Sequence, residues 1–558
     1  MNRYLIPIVA LLMVTCSLSP RPEVDLIIHG GKIWTADPQQ EWAEAVAIQG
    51  DRILRVGSAK DILKMRTSTT RLIDVGEGLV VPGLFDAHLH FLDGGLQLAS
   101  IDLRPAKTPE AFTRMLADYV SGLEPSAWVT GGNWDHTLWG GDLPDREWID
   151  AVSPNNPVWV SRLDGHMALA NTAAFNAAGV NADVAEVDGG TIVRDESGRL
   201  TGILKDNAMW LVERAVPAVD TAQLDHAMQA AMKYVNAQGV TSIQHMGTWE
   251  DLAVFRRAHS RDSMSVRISA AVPLASWQKL ADEIQAKGRG DEWLRIGSLK
   301  GFSDGSLGSH TALFLEPYSD QPDDQGLQVN TREDLFKWVR CGDSLGLQVV
   351  IHAIGDSANR MILDIYEETA LKNGKRDSRH RIEHAQHLHP TDIPRFAALG
   401  VIPSMQPYHC IDDGRWAEPL IGPERCRTTY AFRDLIDSGA RPAFGSDWYV
   451  APPTPLEGIY AAVTRRTLDD ANPQGWYPTQ KITVQEALRG YTIDAARASF
   501  MEDDCGSLEA GKLADLVVLD RDLFSIDPTT IRETTILMTL IGGEIVHQEP
   551  NWLQVESP

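Results

Sequence analysis

The second half of the chain contains LQVVIHAIG (347–355), RIEHAQ (381–386), GVIPSMQ (400–406) and PAFGSD (442–447). Each run is apolar or β-branched and has the length of a strand, and helix-length segments lie between most of them. Strands that alternate with helices predict a parallel sheet, because each crossover helix returns the chain to the same edge of the sheet.

Four similar runs precede this stretch, at LFDAHLHF (84–91), GVTSIQHM (239–246), VRISAAVPL (266–274) and RIGSLKGF (295–302). The segment before the second of them, 221–239, has a helical apolar pattern and ends at a glycine, which is a common helix stop. Eight strands of this kind favour closure into a cylinder. The sequence therefore predicts the α/β fold class, with a (β/α)8 TIM-type barrel over residues 83–504.

Both ends of the chain have the sequence pattern of an antiparallel sheet. Short alternating runs joined by glycine turns occupy residues 24–82, and the same pattern returns over 505–550. Either segment alone is too short to bury a core. We therefore expect one small composite β-sandwich built from both termini, in preference to two unrelated β-appendages.

Residues 92–219 interrupt the strand–helix rhythm, and this gap is too long for one barrel connection. It contains strand-like runs of its own at 126–134 and 156–171. We expect an inserted subdomain after the first barrel strand, lying over the barrel mouth.

The composition excludes one class of partner. A formal net charge of −25, from 51 basic and 76 acidic side chains, repels nucleic acid and anionic membranes. The hydrophobic fraction of 43% is ordinary for a soluble globular enzyme. We expect a small-molecule substrate and no nucleic-acid partner, and the sequence leaves open whether the chain forms a homo-oligomer.

The amino terminus has the pattern of a bacterial export signal. Arg3 precedes an apolar run over 5–14 that is too short to span a bilayer, and Cys16 follows where a lipoprotein signal would be processed. We expect residues 1–16 to be a signal peptide or lipoprotein signal. The protein would be exported and either periplasmic or anchored in the membrane through a lipid on Cys16.

The remaining cysteines do not form a disulfide framework. Cys341, Cys410, Cys426 and Cys505 include no C-x-x-C pair, and free buried thiols are the expected state. A Cys410–Cys426 bridge stays open as an alternative in an oxidising compartment.

The first barrel strand carries the strongest chemical signal. The two-residue period of a strand places Asp86, His88 and His90 on one face of DAHLH (86–90), opposite the apolar residues. Two imidazoles inside a barrel need a metal or hydrogen bonds to satisfy them, and this strand alone does not decide between the two.

Four more candidates stand at or near the ends of later strands, where a barrel gathers its catalytic residues. They are Lys300, His352, His384 and Asp447. Any one of them could be an ordinary hydrogen-bonded core residue. Their coincidence on strands that converge at one edge favours a metal centre.

These motifs together resemble the amidohydrolase superfamily, in the branch similar to N-substituted formamide deformylase. The resemblance extends over nearly the whole chain after the signal. It is carried by VVPGLFDAHLH (80–90), LKGFSDGSLGSHTA (299–312), VVIHAIGD (349–356), RIEHAQ (381–386), FGSD (444–447) and GSLEAGKLADLVVLD (506–520).

The resemblance implies a ligand set. His88 and His90 would bind the more buried metal together with Asp447, and His352 and His384 would hold a second. Lys300, carboxylated on its amine, would bridge the two ions. Zinc is the expected metal, and the sequence leaves open whether one ion or two are bound.

A salt bridge from Lys300 to Asp304 is the alternative to a carboxylated lysine.

The implied reaction is hydrolysis of a carbon–nitrogen bond by metal-activated water, in an amide, N-formyl, N-acyl or cyclic amide substrate. Asp447 would move the proton, and His384 and His166 would assist as catalytic residues. Hydrolytic deamination of a ring substrate is an alternative. An exported binding protein that has lost its chemistry is another.

Substrate contacts are expected mainly from the inserted region and from the loops after the last strands. The expected substrate-binding residues are Trp134, Asp164, His166, His409 and Trp448. His136 is interpreted as a surface histidine. For His310, His387 and His389 the sequence leaves a place in the site and an ordinary solvated position equally open.

Overall fold

The barrel is the largest unit of the computed structural model, which describes residues 23–550, 552 and 555–556. Eight parallel strands, here β1–β8, lie side by side in chain order. They are Leu84–Leu89, Val240–Met246, Arg267–Pro273, Leu294–Phe302, Gln348–Ala353, Arg381–His384, Ile402–Met405 and Ala443–Phe444. The predicted fold class is confirmed.

The short strand β8 returns to β1 and nearly closes the cylinder. Just beyond β8, the amide of Asp447 donates to the carbonyl of His88 at 2.7 Å, and Trp448 accepts from the amide of His90 at 2.6 Å. Asp86 also accepts from the amide of Ser446 at 2.9 Å and from its hydroxyl at 2.5 Å. This seam holds the end of β1 against the segment that carries Asp447.

Helices surround the barrel and shield its apolar outer face from water. The longest, Asp356–Asn373, follows β5, and Thr221–Asn236 precedes β2 behind a capping box formed by Asp220 and Gln223. The others are Phe91–Gln97, Trp249–Ser260, Trp277–Lys287, Arg332–Ser344, Ile393–Leu399, Pro407–Asp413, Ala417–Cys426 (interrupted at Gly422), Phe432–Asp437, Pro455–Thr464, Val484–Gly490 and Ile493–Ala498.

Strands from both ends of the described chain form a single nine-stranded sheet. Leu79–Pro82 pairs antiparallel with Leu516–Leu519, which joins the two ends, and the sheet branches at Leu26–Trp34. The remaining strands are Trp42–Gln49, Arg52–Gly57, Arg71–Asp74, Ile536–Ile541, Glu544–Gln548 and Val555–Glu556. Apolar residues from both ends pack into one cluster, so neither end buries a core alone.

The inserted segment after β1 forms a six-stranded sheet of its own. Its strands are Ile101–Asp102, Gly131–Trp134, Trp159–Arg162, Met167–Ala170, Gly190–Arg194 and Leu200–Asp206. The helices Pro109–Val120, Glu147–Asp150, Thr172–Ala178 and Trp210–Glu213 pack with it. Hydrogen bonds from Arg104 to the carbonyl of Val450 and from Lys205 to that of Ser309, both 2.7 Å, join it to the barrel loops.

Two further expectations concern cysteines and membranes. Cys341, Cys410, Cys426 and Cys505 are all free thiols, so the alternative of a Cys410–Cys426 bridge is wrong. Within residues 23–550 no helix combines the length and the apolar character needed to cross a bilayer. The predicted signal, residues 1–16, lies outside the described residues.

Candidate metal centre

Three of the predicted ligands meet just beyond the carboxyl ends of β1 and β8. The Nε2 atoms of His88 and His90 lie 3.3 and 3.4 Å from Oδ1 of Asp447. All three ligand atoms lie within 4.8 Å of one another. Two imidazole nitrogens and a carboxylate oxygen at this spacing match the donor set that zinc prefers.

His88 is held from behind by a buried ion network. Its Nδ1 donates to Oε2 of Glu383 at 2.5 Å, and Arg381 binds Glu383 at 2.8 Å. Arg381 also donates to the carbonyl of Ala87 at 2.6 Å and to the Ser404 hydroxyl at 2.7 Å. A carboxylate on one ring nitrogen fixes the tautomer, so the other nitrogen is free to bind a metal.

The histidines of β5 and β6 lie beside this cluster. The rings of His88 and His384 have centroids 4.9 Å apart, and those of His352 and His384 are 4.5 Å apart. Gln406 contacts Nδ1 of His384 at 2.8 Å, and the carbonyl of Gly305 contacts Nε2 of His352 at 2.9 Å. In His352 and His384, therefore, one ring nitrogen is hydrogen-bonded to a neighbour, and the other is available to bind a metal.

His409 joins the group from the helix after β7. His384, His409 and Asp447 form a second set whose ligand atoms lie within 4.8 Å of one another. Nε2 of His409 is buried and has no hydrogen-bond partner among the described residues. A buried, unsatisfied imidazole nitrogen is costly, and a bound ion or substrate would satisfy it.

Lys300 lies inside the cluster, with Nζ 3.4 Å from Nε2 of His88. Burial lowers the pKa of Lys300 to about 8. The alternative ion pair with Asp304 is wrong: Asp304 accepts instead from the backbone amides of Leu313, Ile354 and Gly355 at 2.8–3.0 Å. The Lys300 amine is consequently left without a carboxylate of its own.

The protonation states suit a cation. Burial lowers the pKa of His352 and His384 well below the ordinary value, so both rings are neutral near pH 7. Burial alone would raise the pKa of Asp447, yet His88 and His90 outweigh it and keep Asp447 ionised. Neutral imidazoles and an ionised carboxylate are the forms that bind metal.

A pocket opens over the cluster, and the inserted region forms one wall of it. Nδ1 of His166 donates to Oδ1 of Asp206 at 2.6 Å, and the His166 and His352 rings have centroids 4.9 Å apart. Burial alone would lower the pKa of His166, but Asp206 and Asp164 outweigh it and raise it. These carboxylates thus favour the protonated form of His166 at the edge of the metal cluster.

Asp164 also lines the pocket, but its oxygens are already engaged. It binds Arg162 at 2.6 Å, and both Ser306 and Ser309 donate to it, Ser309 at 2.9 Å. Burial raises the pKa of Asp164, while Arg162 and these hydrogen bonds lower it to a net value well below the ordinary one. Asp164 therefore orders the wall of the pocket, and its contact with a substrate stays a prediction.

Two residues expected to bind substrate lie elsewhere. Trp134 is fully buried in the core of the inserted region, where Nε1 donates to the carbonyl of Val160 at 2.9 Å. Trp448 is buried behind the site and packs on Tyr234 and Phe91. Both predictions are corrected: these rings fill cores, and only the backbone of Trp448 supports the site.

The four other candidate histidines lie partly in the core and partly at the surface. His136, interpreted as a surface residue, is buried and accepts from Nε of Arg162 at 3.2 Å, so that interpretation is wrong. His387 is buried against Thr429 at 2.8 Å. His389 bonds Thr391 within a turn, and His310 pairs with Asp320 at 2.9 Å, so none of these three contacts the metal cluster.

Several residues behind or around the ligands were not identified from sequence. Arg381 and Glu383 stand two positions apart on β6, and both side chains point into the barrel. Gln406 directly follows β7. Two charged residues at alternate positions of a short buried strand are a signal that could have revealed the pair, because buried charges need partners. Arg162 and Asp206 depend on the fold of the inserted sheet and leave no comparable signal.

Comparison with known proteins agrees with this geometry. The model of the amidohydrolase family matches residues 71–547. The chain is 41% identical to the protein LONG AFTER FAR-RED 3 of Arabidopsis thaliana, over 95% of this chain and 93% of that one. It is 28% identical to the N-substituted formamide deformylase of Arthrobacter pascens, over 94% and 98%.

A solved structure gives the same answer. The crystal structure of an uncharacterised metal-dependent hydrolase from Pyrococcus horikoshii superposes with a TM-score of 0.72 at 28% identity, covering 90% of this chain and 99% of that one. The family model alone spans most of the sequence, and the barrel, the strand-end histidines and Asp447 all stand within it. The chain therefore belongs to the amidohydrolase family of hydrolases.

Proposed function

We propose that this protein is a metal-dependent hydrolase that cleaves a carbon–nitrogen bond in an amide, N-formyl, N-acyl or cyclic amide substrate. The observation that carries the proposal is the convergence of His88, His90 and Asp447, with His88 held by buried Glu383. The similarity to a formamide deformylase supports the bond type, and the similarity to a metal-dependent hydrolase supports the metal.

Zinc is the proposed metal, because two imidazoles and a carboxylate are its usual donors. When bound, such an ion lowers the pKa of a coordinated water and polarises a substrate carbonyl. The residues that would hold it are His88, His90 and Asp447, with His352 and His384 beside them for a second ion. Asp447 is the group placed to accept the water's proton and return it to the leaving nitrogen.

His166 is proposed to orient the substrate. Its Nδ1 is committed to Asp206, so Nε2 is the atom available to donate to a substrate oxygen. The raised pKa of His166 favours the protonated form of that donor. His409, whose Nε2 has no partner within the described chain, is proposed as a second substrate contact.

Lys300 is proposed to be carboxylated. Its nitrogen would form a bond to the carbon of carbon dioxide and release a proton, which leaves a carbamate with two ligand oxygens. Only a neutral amine can do this, and a pKa of about 8 gives a useful neutral fraction at pH 7. Lys300→Ala should be inactive and partly rescued by short carboxylic acids; an unmodified, unbridging Lys300 in active, metal-loaded crystals would refute the carbamate.

A substrate screen tests the function. Metal-loaded protein is incubated with N-formyl amines, N-acyl amino acids and cyclic amides, and carboxylate and ammonia products are measured separately. A carboxylate product is expected. Ammonia from a ring substrate would indicate deamination instead. Saturable binding of a screened compound without turnover, by protein with a full metal complement, would indicate a binding protein.

Export is also proposed, from the pattern of residues 1–16. Residues 1–30 fused to a reporter should carry it out of the cytoplasm of a bacterial host, and Cys16→Ser should release it from the membrane. A fusion that stays in the cytoplasm would refute export, and export without an acyl label would refute only the lipid anchor.

A further inference from the structure

A second polar cavity lies at the opposite end of the barrel from the metal cluster. Its floor is formed where β3, β4 and β5 begin, by Ser269, Ser298 and Gln348. These three side chains are almost fully buried. Ser298 donates to Gln348 at 2.7 Å, and the Gln348 amide donates to the carbonyls of Arg379 and Ala498, so hydrogen bonds hold the polar floor in place.

Three arginines surround the opening of this cavity: Arg289, Arg295 and Arg376. They come from the loop before β4, from β4 itself and from the segment before β6. Such a grouping is unexpected in a chain with a net charge of −25. Like charges repel one another, and an anion that lies among them stabilises the group.

The carboxylates of the protein neutralise only part of this group. Asp377 also lines the cavity, but it pairs with Arg379. Arg376 binds Asp343 at 2.7 Å, and Arg295 lies 3.7 Å from Asp504. Arg289 forms no ion pair with any residue of the described chain and donates only to the carbonyl of Gly346, at 2.9 Å. Burial lowers the pKa of Arg289, and the charges of Arg295 and Arg376 lower it further.

The position of Arg289 is built into the fold. A Cβ atom on Gly297 of β4 would lie 2.2 Å from the Arg289 guanidinium, so this glycine leaves the space that the side chain needs. Nearby, Ser499 lines the cavity and donates to Oε1 of Gln244 at 2.6 Å, while the Gln244 amide nitrogen is buried with no acceptor among the described residues. The Arg289 guanidinium and the Gln244 amide thus both have N–H groups without an acceptor among the described residues.

We propose that this cavity binds a phosphate-type oxyanion, either free phosphate or the phosphate group of a small metabolite. Guanidinium groups donate in a planar fork that matches phosphate oxygens. Arg376 already donates to Asp343 and to the carbonyl of Leu347, so Arg289 and Arg295 are the two guanidinium groups with donors left for the anion. Donors that approach from two segments suit a tetrahedral anion, which offers oxygens in several directions. The site is separate from the hydrolytic centre and does not depend on its substrate.

The test is calorimetric titration of the metal-loaded full chain with inorganic phosphate, at constant ionic strength in chloride. Wild-type protein should bind with a saturable one-site isotherm. Arg289→Gln should weaken binding at least about tenfold, because it removes a charge-assisted hydrogen bond. Arg295→Gln should also weaken it, whereas Arg261→Gln, which removes an exposed arginine paired with Asp225, should not.

Three results separate the alternatives. Tighter binding of glycerol phosphate than of inorganic phosphate, lost in Arg289→Gln, would identify a metabolite as the ligand, and the reverse order would identify the free ion. Phosphate binding that is unchanged in both arginine variants would mean that the anion binds elsewhere, the metal centre included, and would overturn the proposal. No saturable binding to the wild type would overturn it as well.

Discussion

The barrel strand ends and the inserted region both face the pocket, but they present polar atoms in different ways. On the barrel side, the Nε2 atoms of His88 and His90 meet Asp447, and Glu383 supports His88 from behind. On the inserted side, Asp164 is already bound to Arg162, and His166 to Asp206. The barrel therefore leaves ligand atoms available to a cation. The inserted region supplies an ordered wall, from which Nε2 of His166 can donate.

This difference assigns the chemistry to the barrel residues and the substrate selectivity to the inserted region. Changes to the barrel residues should alter metal content or turnover, because these atoms have no other function in the fold. Changes within the inserted region should act on stability or on substrate affinity, because most of its polar groups bond to one another.

The largest effect is expected at Asp447, on the barrel side. Asp447→Asn keeps a coordinating oxygen but cannot accept a proton, so kcat should fall about 10²- to 10⁴-fold with most of the metal retained. Steady-state kinetics and metal analysis on the same preparation measure both. Asp437→Asn, at an exposed ion pair with Arg433, is the control. Near-wild-type turnover would show that Asp447 does not transfer the proton, and His166 of the inserted region would be the next candidate for that role.

A smaller effect is expected where the two sides meet, at Asp413. Oδ2 accepts from Gln386 at 2.7 Å and from Tyr430 at 2.5 Å, and burial raises the pKa of Asp413 to about 7. The folded state thus holds a proton that the unfolded state releases near pH 4, so stability declines as the pH rises from about 4 to 7.

Asp413→Asn removes this titration. Between pH 4 and pH 8 the wild type should lose up to about 4 kcal/mol more of its free energy of unfolding than the variant does. Urea unfolding across this range measures the difference. Parallel pH profiles for the two proteins would show that Asp413 is ionised in the folded protein throughout this range.

A third effect concerns the support behind the barrel ligands. Glu383→Gln should raise the metal Kd about 10- to 100-fold, because loss of the carboxylate leaves His88 less basic and less firmly oriented. Competition with a chromogenic chelator measures the Kd. Glu368→Gln, which removes an exposed partner of Arg332, should leave it unchanged. An unaltered Kd in Glu383→Gln would mean that the buried network serves the fold alone.

The smallest effect belongs to the inserted region. Trp134→Phe removes the hydrogen bond to the carbonyl of Val160, so the free energy of unfolding should drop by about 1–2 kcal/mol. KM and kcat should stay at their wild-type values, because the ring lies in a core and not on the pocket wall. A raised KM without a loss of stability would restore Trp134 as a substrate contact.

Prediction from sequence succeeded best where local pattern and global geometry coincide. The eight barrel strands are visible as apolar runs, and parallel strands converge at one edge, so the grouping of His88 with Asp447 could be expected before any coordinates. Glu383 was not identified because its partner His88 lies on a distant strand, and only the closed barrel brings the two within 2.5 Å.

The inserted region was harder to predict for a physical reason. Its core is formed by short strands and helices that carry no clear alternation of apolar and polar residues, so Trp134 and His136 could not be assigned to a buried position from their spacing. The arginine cavity at the base of the barrel could not be predicted either. Arg289 and Arg376 are distant in sequence and become neighbours only through the order of the strands.

Elemental analysis of the purified protein decides most directly whether the barrel mouth is a metal centre. Wild-type protein should carry about one to two equivalents of zinc or a similar divalent ion per chain. His88→Ala combined with His90→Ala should lose that metal and its activity while keeping a folded circular-dichroism spectrum, whereas His226→Ala with His259→Ala, on surface helices, should keep both. Fully active enzyme without a transition metal, or metal retained by the His88→Ala, His90→Ala protein, would contradict the account.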